Sequence, residues 1–315
     1  MRRFVLRLFY DFDILFPMDG IMKGKIVIVT GANSGIGKAT AAQLADMGAT
    51  VILACRCKER AEAALAELGC VGGRCMEIMP LDLADLDSVR AFAAEFAQKF
   101  DRLDVLINNA GILGRHRAET KQGFELSFGV NYLGGFLLTM LLLPLLEKSE
   151  QGRIVMTTSV AHGWGDVHWD DLNYTRGYNR FAAYGQSKLC NLLITRALAD
   201  KLHERGSRVT VNAVHPGIVA TDIVVNRAND RFRWVASAMK ILFMTSDEGA
   251  ATGVCLASDP ALSQISGEYF YRCRVEPSSA ASKNLASANR LYDTSLRLCG
   301  MTTDPLLPPP KRILV

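Results

Sequence analysis

Residues 26–47 read IVIVTGANSGIGKATAAQLADM. The run Ile26–Thr30 is β-branched and apolar, with the length of a buried strand, and 35–47 carries apolar residues at helical spacing. Between them Gly31, Asn33, Ser34, Gly35, Ile36 and Gly37 form a turn that delivers the chain directly into the helix. Glycines there permit a tight turn and close backbone approach, while the helix N-terminus offers free N–H groups and a partial positive charge. A strand, a glycine-rich turn and a helix in that order read as a cradle for a dinucleotide's phosphates. The spacing differs from GxGxxG, so the context carries this reading and the glycine count does not.

The same alternation continues downstream. Strands are expected at 50–54, 76–81, 105–108, 154–158 and 209–214, and helices at 58–68 and 86–100. Successive βαβ units of this kind build an α/β domain with a doubly wound parallel sheet. The second strand ends at Cys55 and Arg56, with no acid where a carboxylate would accept the hydroxyls of an adenosine ribose. Arg56 and Lys58 suit a 2′-phosphate instead, so NADP(H) is expected in preference to NAD(H). The apolar run 133–146 (LGGFLLTMLLLPLL) falls short of the roughly 20 residues that span a bilayer, and reads as a buried core helix. A homodimer would use the same apolar surface, and composition does not separate the two uses.

At 315 residues, 49% hydrophobic and 22% charged, the chain is too apolar to stay disordered and long enough for a sizeable core. Its 36 basic and 32 acidic residues leave a net charge of only +4, which argues against a nucleic-acid partner. Eight scattered cysteines show neither CxxC pairs nor zinc-ligand spacing; they read as reduced thiols, and no metal is expected. Residues 1–22 place Arg2, Arg3 and Arg7 among aromatic and aliphatic side chains, but the apolar runs are too short for a signal peptide or a spanning helix. That leader either packs against the domain or lies on a membrane surface. The chain is expected inside the cell, in the cytoplasm or on an organelle membrane, and not secreted. The domain is expected over 23–301, and 302–315 forms a proline-rich tail that trails from it from Asp304 onward.

Tyr184 and Lys188 stand four residues apart, one above the other on a helix face. A tyrosine with its ordinary pKa of about 10 is a poor acid or base near neutrality, and a neighbouring ammonium lowers that value. Ser159, at the end of the fifth strand, is placed to hydrogen-bond the same substrate oxygen. A YxxxK pair alone is weak evidence; together with the phosphate cradle it is strong.

With these motifs in order, residues 23–301 resemble the short-chain dehydrogenase/reductases. Gly31, Gly35 and Gly37 are similar to that family's TGxxxGxG, and Asp82 to its adenine contact. Asn108, Asn109, Ala110 and Gly111 match its NNAG, and Asn131, Ser159, Tyr184 and Lys188 its Asn-Ser-Tyr-Lys tetrad. The resemblance implies a Rossmann-type sheet holding NADP(H). In it Tyr184 serves as general acid/base, Lys188 binds the nicotinamide ribose and lowers the tyrosine pKa, Ser159 polarises the substrate oxygen, and Asn131 orders a relay water. Pro216, Gly217 and Thr221 resemble the PGxxxT segment beside the nicotinamide. ILACR at 52–56, WDDLNY at 169–174, AYGQSKLCN at 183–191 and HPGIVATD at 215–222 look like the retinol-dehydrogenase-like group. The chain departs from that group in the segment Asn131–Phe136 (NYLGGF), where histidines are usual, at Thr157 and Thr158, and around 220–223, where an arginine is usual.

After the sixth strand, 222–245 is rich in Trp234, Met239, Ile241, Leu242 and Phe243, as a lid over an apolar substrate would be. His162, Trp164, His168 and Trp169 are expected at the pocket mouth. The expected activity is hydride transfer between nicotinamide and a small lipophilic carbonyl or alcohol: a retinoid, a steroid or another apolar aldehyde or ketone. The rivals are a dinucleotide-binding sensor or scaffold with little catalysis, and a pigment- or lipid-biosynthetic reductase of the same family.

Overall fold

The computed structural model describes residues 20–69, 75–217 and 244–307. The chain alternates β1 (Ile26–Thr30), α1 (Gly35–Asp46), β2 (Thr50–Cys55), α2 (Lys58–Leu68), β3 (Cys75–Pro80), α3 (Leu86–Lys99) and β4 (Val105–Asn108). It continues with α4 (Leu126–Leu146), β5 (Arg153–Thr157), α5 (Arg180–Glu204) and β6 (Thr210–Val214). Past 218–243 come α6 (Ser246–Ser258), β7 (Tyr269–Tyr271), β8 (Arg274–Val275) and α7 (Leu285–Leu298). One sheet runs in the order β3-β2-β1-β4-β5-β6-β7-β8, parallel except for the β7–β8 pair.

Alternate residues of each central strand enter opposite cores, as the two-residue repeat of a strand requires. Val27 and Val29 pack with Val51, Leu53 and the α1 side; Ile28 packs with Ile52, Leu106, Ile154 and the α3–α4–α5 side. Both faces are therefore covered, and the strands read as continuous apolar runs. β1 pairs with β2 on one side and β4 on the other. The winding direction reverses there, which opens a crevice beyond the strands' carboxyl ends.

The six predicted strands are present within a residue or so of their expected ends. Residues 133–146 form a core helix as expected, but the helix begins earlier, at Leu126, where Glu125 Oε2 accepts the Phe128 N–H at 2.7 Å. Its segment Gly129–Leu133 is wound as π-helix, and Asn131 sits inside it. Phe136, Leu137, Leu138, Met140 and Leu142 are fully buried within this one chain. The sequence reading offered the same surface to a homodimer; in the structure α3, α5 and α7 cover it.

α7 lies over α4 and α5, with the Tyr292 ring edge-on to Phe136 at 5.9 Å and Ser295 Oγ 2.5 Å from Tyr132 Oη. The tail does not trail at Asp304: the Tyr292 hydroxyl donates to its carboxylate, Arg205 to Pro305 O, and Leu306 is buried. Residues 308–315, most of the leader (1–19) and all but Met244 and Thr245 of the expected lid lie outside the described residues.

Candidate active site

Beyond the carboxyl ends of β1, β2, β4, β5 and β6 lies a cleft of about 790 Å³. One end of it is the glycine turn. Gly31 adopts φ +67°, and a Cβ there would lie 3.1 Å from Ala110, so the turn requires a residue with neither strain nor bulk. A Cβ on Gly37 would run into Gly31 O and lie 2.5 Å from Asn109 Nδ2. Ser34 is the extended N-cap of α1 and makes no capping bond with its side chain, and no acid stands in the first turn. The N–H groups of that turn are thus left for an anion.

The NNAG turn is stapled to β1. Thr30 Oγ1 accepts from Asn109 N and Ala110 N at 2.9 Å each, and Asn109 Nδ2 donates to Thr30 O at 2.9 Å. Asn33, Ser34, Gly35, Ile36, Arg56, Asp82, Ala110, Gly111, Pro216 and Gly217 line the cleft, and Arg60, unforeseen from sequence, joins Arg56 there. Arg60 stands in the first turn of α2, just past the end of β2 where Arg56 lies. Asn108 is not on the cleft wall. Its amide turns into the core, donating to Thr139 Oγ1 at 2.9 Å. Thr221 falls outside the described residues.

The opposite end carries Ser159, Tyr184 and Lys188. Ser159 caps the short 3₁₀ turn Val160–Gly163, its Oγ accepting from Ala161 N at 3.3 Å, and its hydroxyl is near enough to the Tyr184 phenol to lower its pKa. The Lys188 ammonium lies 5.6 Å from the Tyr184 ring centroid and donates to Thr157 O at 3.1 Å. Gly111 faces this pair closely: a Cβ there would lie 3.3 Å from Lys188 Nζ, a tight contact. Asn131 lies behind this wall. Its Oδ1 accepts from Ile112 N at 2.7 Å, and its Nδ2 donates to Ile112 O at 2.9 Å and Ser187 Oγ at 3.0 Å. It thereby ties the segment after β4 to α5.

Burial acts on both titratable groups. It raises the Tyr184 phenol above its ordinary value, an effect only partly opposed by the Ser159 hydroxyl, and it lowers the Lys188 ammonium to about 8. Sequence reasoning expected the Lys188 cation and an oxidised nicotinamide to depress the tyrosine; in the protein chain alone desolvation outweighs the opposing effect of Ser159.

Asn191 went unnoticed in the sequence. Its buried amide donates to Asn131 O and Thr157 O, both at 3.0 Å, so it holds the carbonyl that Lys188 also uses. The 184, 188, 191 spacing on one helix face is the signal that could have found it. Of the four residues expected at the pocket mouth, Trp164 is exposed and packs on Gly185. His162 is buried behind Ser159, His168 stacks on Tyr174, and Trp169 lies under Arg290. His215 lines the cleft, and burial together with His162 lowers its pKa to about 4.

An uncapped helix N-terminus, a turn without room for side chains, two arginines and a phenol–ammonium pair in one cleft together fit a nicotinamide dinucleotide. The short chain dehydrogenase family profile matches residues 25–231. Human retinol dehydrogenase 14 is 44% identical over 301 residues, covering 90% of this chain and 88% of its own. Human retinol dehydrogenase 11 is 42% identical over 284 residues, with 90% and 88% covered. Among solved structures, an uncharacterized protein from Mycobacterium paratuberculosis superposes with TM-score 0.72 at 35% identity, over 89% of this chain and 94% of that one. A short chain dehydrogenase from Escherichia coli complexed with NADPH gives 0.64 at 27% identity, over 81% and 99%. By family profile, relatives and fold together, the chain belongs to the short-chain dehydrogenases, oxidoreductases of the Rossmann type, and within them to the retinol-dehydrogenase-like group.

Proposed function

We propose that this protein is an NADP(H)-dependent oxidoreductase acting on a lipophilic carbonyl or alcohol, of the retinoid class or of similar apolar character. The observation that carries the reading is the placement of Ser159, Tyr184 and Lys188 in the same cleft as the uncapped N-terminus of α1. When bound, the nicotinamide supplies or accepts the hydride. The chain's own residues handle the oxygen and its proton. Burial keeps the Tyr184 phenol protonated at neutral pH, so it is poised to donate to a carbonyl oxygen, as carbonyl reduction requires. Ser159, on the same cleft wall, offers a second hydrogen bond to the same oxygen. Lys188, largely charged at pH 7, places a cation behind the phenol and stabilises the phenolate left after transfer. Asn131 fixes the Ile112 backbone and α5 relative to each other.

Cofactor choice rests on Arg56 and Arg60 at the β2 end of the cleft, where no carboxylate follows the strand. Support for an apolar substrate comes from the relatives' names and from the exposed Val160 and Trp164 around Ser159. The test follows NADPH and NADH oxidation with retinal, medium-chain aldehydes, a ketosteroid and a quinone. Turnover with NADPH is expected, with Tyr184→Phe lowering kcat by 10²-fold or more, about the contribution of a general acid. Arg56→Ala is expected to raise the NADPH KM by roughly 10- to 100-fold, the worth of a charge-assisted bond, with little effect on NADH. Equal use of both cofactors by the wild type defeats the NADP(H) assignment; tight NADPH binding without turnover on any of these substrates defeats the lipophilic-reductase reading.

A further inference from the structure

His162 is buried, makes no part of the cleft wall and plays no part in the chemistry described above. It nevertheless holds the residue that does. The 3₁₀ turn starting at Ser159 folds the His162 ring back until Nδ1 lies 2.7 Å from Ser159 O. A carbonyl oxygen only accepts, so Nδ1 must carry a proton. The other ring nitrogen, Nε2, lies 3.2 Å from Ser279 N, and a backbone N–H only donates, so Nε2 must present a lone pair. Only one state of the ring satisfies both neighbours: the neutral imidazole protonated at Nδ1. Tyr269 packs against the ring, tilted 64° to it, at 5.0 Å and fixes its plane.

Ser279 is itself anchored. Ser282 donates through Oγ to Ser279 O at 2.7 Å and accepts through it from the Ser278 hydroxyl, 2.8 Å away. Ser278 Oγ in turn accepts from Arg196 at 3.1 Å, and Arg196 stands on α5, the helix that carries Tyr184 and Lys188. The serine turn therefore grips the two catalytic elements from behind, Ser159 through His162 and α5 through Arg196. It lies at 278–282, well past the residues that the family profile matches.

We infer that His162, as its Nδ1-protonated tautomer between Ser159 and Ser279, is a positioning residue for Ser159, with the serine turn 278–282 as its anchor. This rests on the proposed catalytic role of Ser159. Ser159 sits at the end of a strand followed by a single short turn, with an extended backbone that its own Oγ bond to Ala161 does not fix from the rear. The ring nitrogen bond adds a second, shorter contact to Ser159 O beside the His162 backbone N–H and keeps Oγ on the Tyr184 side of the cleft.

The experiment compares the full-length wild type with Ser159→Ala, His162→Phe, His162→Asn and His162→Gln, using NADPH and retinal as probes. His162→Phe keeps a ring against Tyr269 and removes both nitrogen bonds. Ser159 O retains the His162 backbone N–H at 3.1 Å, so no carbonyl is left bare. The expected result is a kcat about tenfold lower, the rate equivalent of one lost hydrogen bond, with the KM for NADPH and the Tm little changed. Asn places an amide N–H where Nδ1 stands and is expected to restore most of kcat; Gln reaches the Nε2 position instead and is expected not to. If His162→Phe keeps full kcat while Ser159→Ala loses it, the inference is overturned and the catalytic reading stands. If Asn and Gln behave alike, positioning through Nδ1 is overturned. If Ser159→Ala itself is fully active, the catalytic reading falls and takes the inference with it. Nitrogen-15 NMR of the wild-type imidazoles reads the tautomer without any substrate: the proton is expected on Nδ1 of His162, and its presence on Nε2 overturns the arrangement.

Discussion

Lys188 shows most directly how one residue exchanges stability for chemistry. Its ammonium is fully buried, donates to Thr157 O, and is lowered by desolvation from 10.5 to about 8. Because the folded-state pKa is depressed, the unfolded chain binds more protons than the folded one between about pH 8 and 10.5, so stability rises with pH across that window. Below it the full cost of holding the charge is present, roughly 3 kcal/mol for a shift of this size. Lys188→Met is therefore expected to be inactive yet more stable than the wild type in urea melts at pH 7, with the advantage shrinking toward pH 10.5. Thr157 O keeps the Asn191 amide as a donor in that variant, so the substitution leaves no orphaned carbonyl. A Lys188→Met protein less stable at pH 7 would show that packing of the lysine stem outweighs desolvation. At this scale the sequence spoke clearly where chemistry dictates spacing. The Tyr184–Lys188 pair and Ser159 are legible because a phenol, an ammonium and a hydroxyl have to meet. Asn108 matched a motif, but whether its amide faces the cleft or Thr139 depends on α4 packing, which no local pattern records. The same holds for His162 and Asn191, whose partners lie 117 and 60 residues away.

Among the elements, α1 is the one whose terminus does the binding. Its first turn has neither a capping side chain nor an acid, so the partial positive charge of the helix is undiminished where phosphates would approach. The geometry tolerates no thickening of the turn. Gly37→Ala would press a methyl against Gly31 O and Asn109 Nδ2, the amide that staples the NNAG turn to Thr30 O. Backbone atoms cannot yield as a flexible side chain can, and a cost of about 1–3 kcal/mol is expected in denaturant titrations. NADPH affinity measured by fluorescence titration is expected to fall with it; unchanged affinity would mean that the cradle does not hold the phosphates. Strands β1, β2 and β4 were readable because both faces are buried and the runs are almost wholly apolar, whereas β3, at the sheet edge, buries only Met79. β7 and β8 span only Tyr269–Tyr271 and Arg274–Val275, too short for any periodicity, and pair only because β6 presents an open edge. α7 carries the stripe Ala288, Leu291, Tyr292 and Ser295, yet nothing in the stripe says which surface it covers.

For the molecule as a whole, that covered surface decides how much of the chain is needed to make a finished domain. α4 is apolar all round, and 83% of its most apolar stretch is buried, so it has to be enclosed on every side. β4 and β5, α3 and α5 provide much of the enclosure, and α7 with the segment up to Leu306 provides the rest. Tyr292 is the keystone of this last layer. Its ring meets Phe136 edge-on, Lys201 lies over it at 4.5 Å, and its hydroxyl holds Asp304. Tyr292→Ala removes a fully buried aromatic and is expected to cost about 3–5 kcal/mol, read from the urea midpoint. Tyr292→Phe separates the two contributions. It keeps the ring against Phe136 and loses only the bond to Asp304, so a smaller loss of about 1 kcal/mol is expected, together with faster amide exchange over 304–307. Neither variant touches the cleft, so NADPH affinity in the folded protein should be unchanged. If Tyr292→Ala were as stable as the wild type, α7 would be an appendage and not a wall of the core, and α4 would need another cover, such as a second copy of this chain.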